Sequence, residues 1–199
     1  MKLFDTALEN CLPSDGIAKY YGVVLNRERA NDYLQCLIDV VDWKHDEVVV
    51  FGKKHITKRM MAWYGDSNFS YTYSGTTRQA SPWIRQLLEL KELVEKLTLT
   101  TYNSCLLNLY HHGEEGMGWH SDDEDTLEPR ATIASLSLGA ERKFSFKHKR
   151  TGETVSVMLE NGSLLAMMGE IQENWLHSLP KTKKVKEPRI NLTFRRFSI

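Results

Sequence analysis

The sequence predicts an α+β fold that is mainly β: a double-stranded β-helix (jelly roll) core with N-terminal helices packed outside it. Short apolar or alternating runs recur closely from Thr98 onward, at Ser104 to Tyr110, Thr132 to Leu138, Lys143 to His148, Val155 to Leu159 and Ser163 to Met168. Gly139, Gly152 and Asn161-Gly162 fall between them as turn signals. Helical periodicity, by contrast, is confined to two stretches in the first half of the chain.

A chain of 199 residues suits one domain with a sizeable core, and it carries no repeat, low-complexity tract or flexible linker. Residues 1 to 19 hold a turn at Pro13, Ser14, Asp15 and Gly16, and Tyr20 to Leu25 reads as a short strand. Asn26 is an N-cap for a helix to about Val41, with Ala30, Tyr33, Leu34, Leu37 and Val41 on one side. Val48 to Phe51 is a compact apolar run that ends at Gly52, as an edge strand would before a sharp turn. Ser70 to Ser74 alternates with its tyrosines facing one way. Ser81-Pro82 reads as a helix opening, Ser as N-cap and Pro in the first turn, followed by Trp83, Leu87, Leu90, Val94 and Leu97 at helical spacing to about Lys96. Gly113, Gly116 and Gly118 predict a tight approach of two chain segments rather than a phosphate cradle.

With 26 basic and 26 acidic residues the formal net charge is zero, so no global field draws the molecule to phosphate. The charges are nevertheless segregated. Lys53, Lys54, Lys58 and Arg59 form one basic run, Lys143 to Arg150 a second, and Lys181, Lys183, Lys184 and Lys186 a third, while acids gather at Glu114-Glu115 and from Asp122 to Glu128. Any one run suits a solvated surface; three around one candidate site can contact phosphates locally. Cys11, Cys36 and Cys105 are widely spaced, which fits free thiols in a reducing compartment and not a zinc cage. No stretch is long enough to span a bilayer and the first residues lack an apolar signal region, so the expected location is cytoplasmic, or nuclear in a eukaryote.

The chemistry gathers at Tyr110 to Glu124, and within it at His120-Ser121-Asp122. In an extended segment residues i and i+2 share a face, so this imidazole and carboxylate can grip one metal together. Trp175-Leu176-His177-Ser178 offers a second imidazole, and two histidines with one carboxylate are the facial set that leaves positions open on iron. A third element alternates with period two: Arg189, Asn191, Thr193 and Arg195 on one strand face, Ile190, Leu192 and Phe194 on the other. Two arginines lining an interior are costly without acidic partners, and their planar forks suit a small diacid. Together these features describe an iron and 2-oxoglutarate dependent dioxygenase.

The ordered blocks Val50-Phe51-Gly52-Lys53, Tyr64-Gly65-Asp66, Tyr71-Thr72-Tyr73-Ser74-Gly75, Asn108-Leu109-Tyr110, Trp119 to Glu124, His177-Ser178-Leu179-Pro180 and Pro188 to Arg195 closely resemble the AlkB-type alkylated nucleic acid repair dioxygenases. The resemblance runs from about residue 48 to 197. It implies one domain with N-terminal helical support over 1–47, a nucleotide-recognition lid and finger over 48–80, and the jelly-roll core over 98–199. It implies Fe(II), 2-oxoglutarate and O2, with His120, Asp122 and His177 on the metal. Arg189 and Arg195 would hold the two ends of 2-oxoglutarate, Arg195 at or near the distal acid, supported by Asn108, Tyr110, Asn191 and Thr193.

For substrate, the resemblance implies alkylated DNA such as 1-methyladenine and 3-methylcytosine, oxidised at the N-methyl group with loss of formaldehyde. Duplex is favoured and single strands are accepted, by a monomer. Phe51 would be the finger filling the gap of an extruded base, and Tyr71, Tyr73 and Ser74 would face the nucleotide. Arg59 would stand near the substrate strand and Lys183 and Lys184 against the opposite strand, although Thr182 departs from the basic residue common there. Asp123 and Glu124 would favour cationic bases. An RNA demethylase or a protein hydroxylase on the same iron core is the alternative within the enzyme class, and a nucleic-acid-binding module without catalysis is the alternative outside it.

Overall fold

The computed structural model describes residues 8–50, 53–66, 69–73 and 76–198. In chain order the elements are β1 (Ile17–Val23), α1 (Arg27–Val40), β2 (Lys44–Val50), β3 (Lys53–Gly65), β4 (Ser70–Tyr73), β5 (Thr76–Gln79), β6 (Ser81–Pro82), α2 (Arg85–Thr98), β7 (Ser104–Tyr110), β8 (Met117–His120), β9 (Ile133–Gly139), β10 (Arg142–His148), β11 (Thr154–Leu159), β12 (Ser163–Met168), α3 (Ile171–Asn174), β13 (Trp175–Leu179) and β14 (Arg189–Arg195). A large sheet runs β1-β12-β9-β14-β7-β3-β2, with β6 joined to β3. A small one runs β11-β10-β13-β8, and β4 and β5 form a separate hairpin.

Each face of the large sheet buries its own core. On the outer face Ile190, Leu192 and Phe194 of β14 meet Leu107, Leu109, Leu136 and Leu138, covered by Ala30 and Leu37 of α1 and Leu87, Leu90 and Val94 of α2. On the inner face Tyr110, Ile133, Leu165 and Met167 pack against Phe144, Phe146, Leu159, Trp175 and Leu179 of the small sheet. Helices outside and a second sheet inside make the jelly roll expected from the strand spacing.

Local signals explain most element ends. Asn26 caps α1 by accepting from the Arg29 N–H at 2.9 Å, and burial of Ala30 and Leu37 follows the predicted stripe. The second helix departs from expectation. Ser81 and Pro82 pair with Tyr64 and Gly65 as β6, and α2 starts at Arg85 with Ile84 as N-cap and no side-chain bond to it. A residue before proline is driven away from the α region, and here that extended backbone is used by the sheet. The short strand expected near Tyr20 is β1, an edge strand of the large sheet, and Lys53–Gly65 is a strand of the same sheet between β2 and β7. Of the stretch read as a lid, that leaves the hairpin β4–β5 outside both sheets.

The glycines before His120 behave as predicted at two positions. A Cβ at Gly113 would lie 2.4 Å from the Thr182 carbonyl oxygen, and one at Gly116 would lie 2.4 Å from that of Leu179. Hydrogen bonds run across this contact from the Gly113 N–H to Val185 O and from the Thr182 N–H to Gly113 O. Beneath it lies Arg142, only 2% exposed, whose Nη2 donates to the carbonyls of Gly113 (3.2 Å), Glu115 (2.9 Å) and Pro180 (2.9 Å). The guanidinium therefore fastens the turn at 113–116 to the basic segment that follows β13. Arg142→Ala is expected to leave those carbonyls unmatched and to lower stability by about 2–4 kcal/mol, read as a shift of the urea midpoint.

Candidate active site

The antiparallel register brings the metal-binding candidates together. β8 pairs with β13 so that His120 stands directly opposite His177, and the two imidazole centroids are 4.2 Å apart. Asp122 follows β8 and turns back, placing Oδ1 3.7 Å from Nε2 of each histidine. All three ligand atoms lie within 4.8 Å of one another. Two ligands each about 2.1 Å from one ion can be separated by at most about 4.2 Å, so both carboxylate–imidazole distances suit a shared ion.

A hydrogen bond orients the first histidine, and electrostatics favour the ligand forms of His177 and Asp122. His120 Nδ1 lies 2.9 Å from Gly118 O; a carbonyl only accepts, so Nδ1 carries the proton and Nε2 presents its lone pair to the centre. Burial pushes His177 down to about 4, outweighing the pull of Asp122, so its imidazole is neutral at neutral pH. Burial opposes the Asp122 charge, but Arg195, then His177 and His120, hold the carboxyl below its ordinary value. Arg195 Nη2 lies 2.9 Å from Asp122 Oδ2, and its Nη1 lies 3.1 Å from Glu124 Oε1.

The other end of the pocket is built by β14 and its neighbours. Register sets Arg189 beside Tyr110, Asn191 beside Asn108 on one side and Ser137 on the other, and Thr193 beside Ser135. Arg189 is 2% exposed and donates through Nη2 to Ser137 Oγ and Asn191 Oδ1, both at 2.9 Å, with Tyr110 under its plane at 5.6 Å. Its buried Nε has no partner, and among the described residues no carboxylate forms an ion pair with it. Burial pulls this guanidinium down to about 10, which still leaves it charged at neutral pH. A buried cation without a counterion is expensive unless an anion arrives from outside. The lining suits a diacid: it gathers His120, Asp122 and His177 with Tyr110, Asn108, Asn191, Thr193 and both arginines, and Arg189 and Arg195 stand at opposite ends of β14, Arg195 against Asp122.

The remaining candidates scatter. Arg59 is buried and donates from Nε to Asn108 Oδ1 at 3.2 Å, which sets it against the wall of this pocket rather than on an outer rim. Glu124 is held by Arg195, whereas Asp123 is exposed and lines a neighbouring acidic cleft. Lys183 lines a groove with Lys58, His112 and Lys181, and Lys184 is exposed next to it. Tyr71 and Tyr73 stand two residues apart on β4, and Phe51 and Ser74 lie outside the described residues. The tandem His111 and His112 stay out of the metal group: His111 binds Glu115. Sequence reasoning missed Ser135 and Ser137, which β9 turns toward β14, and Phe144, whose ring lies 5.5 Å from that of His177. The serines had a signal, since they alternate with Ala134, Leu136 and Leu138.

Two sheets holding a His–Asp–His group and, in the same pocket, a buried guanidinium with no acid partner among the described residues suit a metal-dependent oxygenase that draws on a dicarboxylate co-substrate. The family profile described as the 2OG-Fe(II) oxygenase superfamily matches residues 18–195. The chain belongs to that superfamily, and within it to the AlkB-type dioxygenases. It is 39% identical over 196 residues to the DNA oxidative demethylase ALKBH2 of Mus musculus, covering 93% of this chain and 82% of that protein. It is 38% identical over 189 residues to the alpha-ketoglutarate-dependent dioxygenase alkB homolog 3 of Homo sapiens, covering 90% of this chain and 65% of that one. A solved structure titled "The structure of OsALKBH1" superposes with a TM-score of 0.64 at 15% identity, over 96% of this chain and all (100%) of that one, a likeness of fold. The protein is thus an Fe(II)- and 2-oxoglutarate-dependent dioxygenase, and both pocket ends suit those groups. No helix among the described residues is long and apolar enough to cross a membrane.

Proposed function

We propose that this protein repairs alkylated DNA by oxidising N-linked methyl groups on bases, which leave as formaldehyde. The observation that carries the reading is 39% identity to a protein named DNA oxidative demethylase, across 93% of this chain. His120, Asp122 and His177 would hold Fe(II). Bound there, the ion with O2 and 2-oxoglutarate supplies the oxidising power, with succinate and carbon dioxide as co-products.

The chain's own residues place and charge the reactants. Arg189, with Tyr110 beside it, would take the distal carboxylate of 2-oxoglutarate, since unlike Arg195 it forms no ion pair with an acid among the described residues. Arg195 would serve the metal end, bracing Asp122 and meeting the near carboxylate. The resemblance implied Arg195 at or near the distal acid; what supports the metal end is that its Nη2 is 2.9 Å from a carboxylate oxygen of Asp122. Glu124 would meet the base with much of its charge already matched by Arg195, so discrimination for cationic bases would rest on it less than a free carboxylate would allow.

Duplex preference belongs to the same proposal. The groove lined by Lys58, His112, Glu114, Lys181, Thr182 and Lys183 includes part of the segment that follows β13, the strand of His177, and its lysines would meet phosphates there. Replacing both Lys181 and Lys183 with alanine is expected to weaken duplex binding and to lower the slope of log affinity against log salt by about 1.8, at about 0.9 per lost phosphate contact. Anisotropy across a salt series measures this, and an unchanged slope would take these lysines off the DNA.

The function is tested with 3-methylcytosine in single- and double-stranded DNA and RNA, following formaldehyde and succinate. Release from DNA at a higher kcat/KM than from RNA is expected. Equal or faster release from RNA would make this an RNA demethylase, and succinate without base repair would point to a different acceptor.

A further inference from the structure

We infer that Gln172 is a positioning residue of the metal site, holding the backbone of Asp122 and tying the segment with His120 and Asp122 to the segment with His177. This role rests on those three residues being the ligands, as proposed above.

β8 ends at His120, and residues 121–124 belong to no helix or strand. Asp122 is nonetheless only 7% exposed, and its N–H, past the end of the sheet ladder, needs an acceptor from elsewhere. Gln172 Oε1 supplies it at 2.9 Å. Gln172 stands in α3, the single turn that leads directly into β13, five residues ahead of His177. A second link crosses at the same place, from Ser121 Oγ to Trp175 O at 3.3 Å.

The amide is itself oriented. Its Nε2 points to Met167 Sδ at 3.9 Å, and its backbone carbonyl accepts from Lys149 Nζ at 2.8 Å. Turning the amide over would set an NH2 against the Asp122 N–H, two donors face to face, so the oxygen must point toward Asp122. Arg195 grips the carboxylate at Oδ2 and leaves Oδ1 3.7 Å from both imidazoles. Gln172 therefore controls the base of the Asp122 side chain while Arg195 controls its tip. A carboxylate free to shift at its root would meet the ion in the wrong place, because ligand geometry is imposed from outside the ligand set.

The test titrates Mn(II) into metal-free protein and reads free Mn(II) by electron paramagnetic resonance, for wild type, Asp122→Ala, Gln172→Met and Gln172→Glu. Methionine keeps the length without the acceptor, and glutamate restores an acceptor. Gln172→Met is expected to bind Mn(II) about tenfold to a hundredfold more weakly than wild type, the range typical of lost partners behind a metal ligand. Gln172→Glu is expected to recover most of that loss, which a purely structural effect on folding would not do. Equal affinity in Gln172→Met and wild type overturns the role, and so does a Gln172→Glu variant that binds no better than Gln172→Met. An Asp122→Ala protein that binds like wild type would remove the metal assignment itself, and this role with it.

Discussion

Asp122→Ala is expected to reduce succinate and formaldehyde formation to background while leaving DNA binding measurable. Asp122 is the hub of the candidate centre: Oδ1 stands 3.7 Å from both imidazoles and Oδ2 2.9 Å from Arg195. Its removal takes away the anionic ligand and leaves two imidazoles beside the Arg195 guanidinium, which keeps Glu124 as a partner, so the centre loses the negative charge that attracts a divalent cation. Asp122→Asn keeps the shape but not the charge, and should fail as well if charge is what the site needs. The measurement is single-turnover product formation alongside anisotropy on the same methylated duplex. Turnover at the wild-type rate in Asp122→Ala would take this residue out of the ligand set.

Arg189→Met is expected to separate co-substrate binding from stability. With 2-oxoglutarate bound, the guanidinium would pair with a carboxylate in a fully buried place, and truncating one partner of such a pair costs about 2–5 kcal/mol. The dissociation constant for 2-oxoglutarate should therefore rise by roughly thirtyfold to several thousandfold, with about 1.4 kcal/mol per factor of ten. Without co-substrate the sign differs. The wild-type protein buries a charge that pairs with no acid among the described residues, and replacing such a group by an apolar side chain of similar volume is often neutral or stabilising. Ser137 Oγ and Asn191 Oδ1 each lose a donor, which offsets part of the gain. The ligand-free variant should melt no lower than wild type and should no longer be stabilised by added 2-oxoglutarate. A variant that melts lower and still binds 2-oxoglutarate normally would show that Arg189 holds the fold and not the diacid.

Much of the site was legible because strand periodicity is a local rule. Along β14 every second residue faces the same way, so Arg189, Asn191, Thr193 and Arg195 could be assigned to one face from their spacing, and Ile190, Leu192 and Phe194 are fully buried on the other. His120 and Asp122 were readable for the same reason. What spacing does not carry is how far along the pocket each group reaches. Arg195 at the metal end and Arg189 at the far end depend on which residues face β14 from β7 and β9, and that is a matter of register between strands distant in sequence. Gln172 was invisible for a related reason: a lone polar residue in a four-residue turn has no pattern, and its meaning comes from the buried N–H of a residue 50 positions away.

By itself the sequence determined the strand-rich core, the faces of its strands, the helix capped by Asn26, and the residue types able to hold iron and a diacid. Each of these follows from rules that act over a few residues. Only the tertiary structure decided that Ser81-Pro82 joins a sheet instead of opening a helix, that Arg59 turns inward to Asn108, and that Arg195 pairs with Asp122 and Glu124. Those outcomes are settled by competition for buried hydrogen-bonding and charge partners, and such partners exist only once remote segments have been packed together.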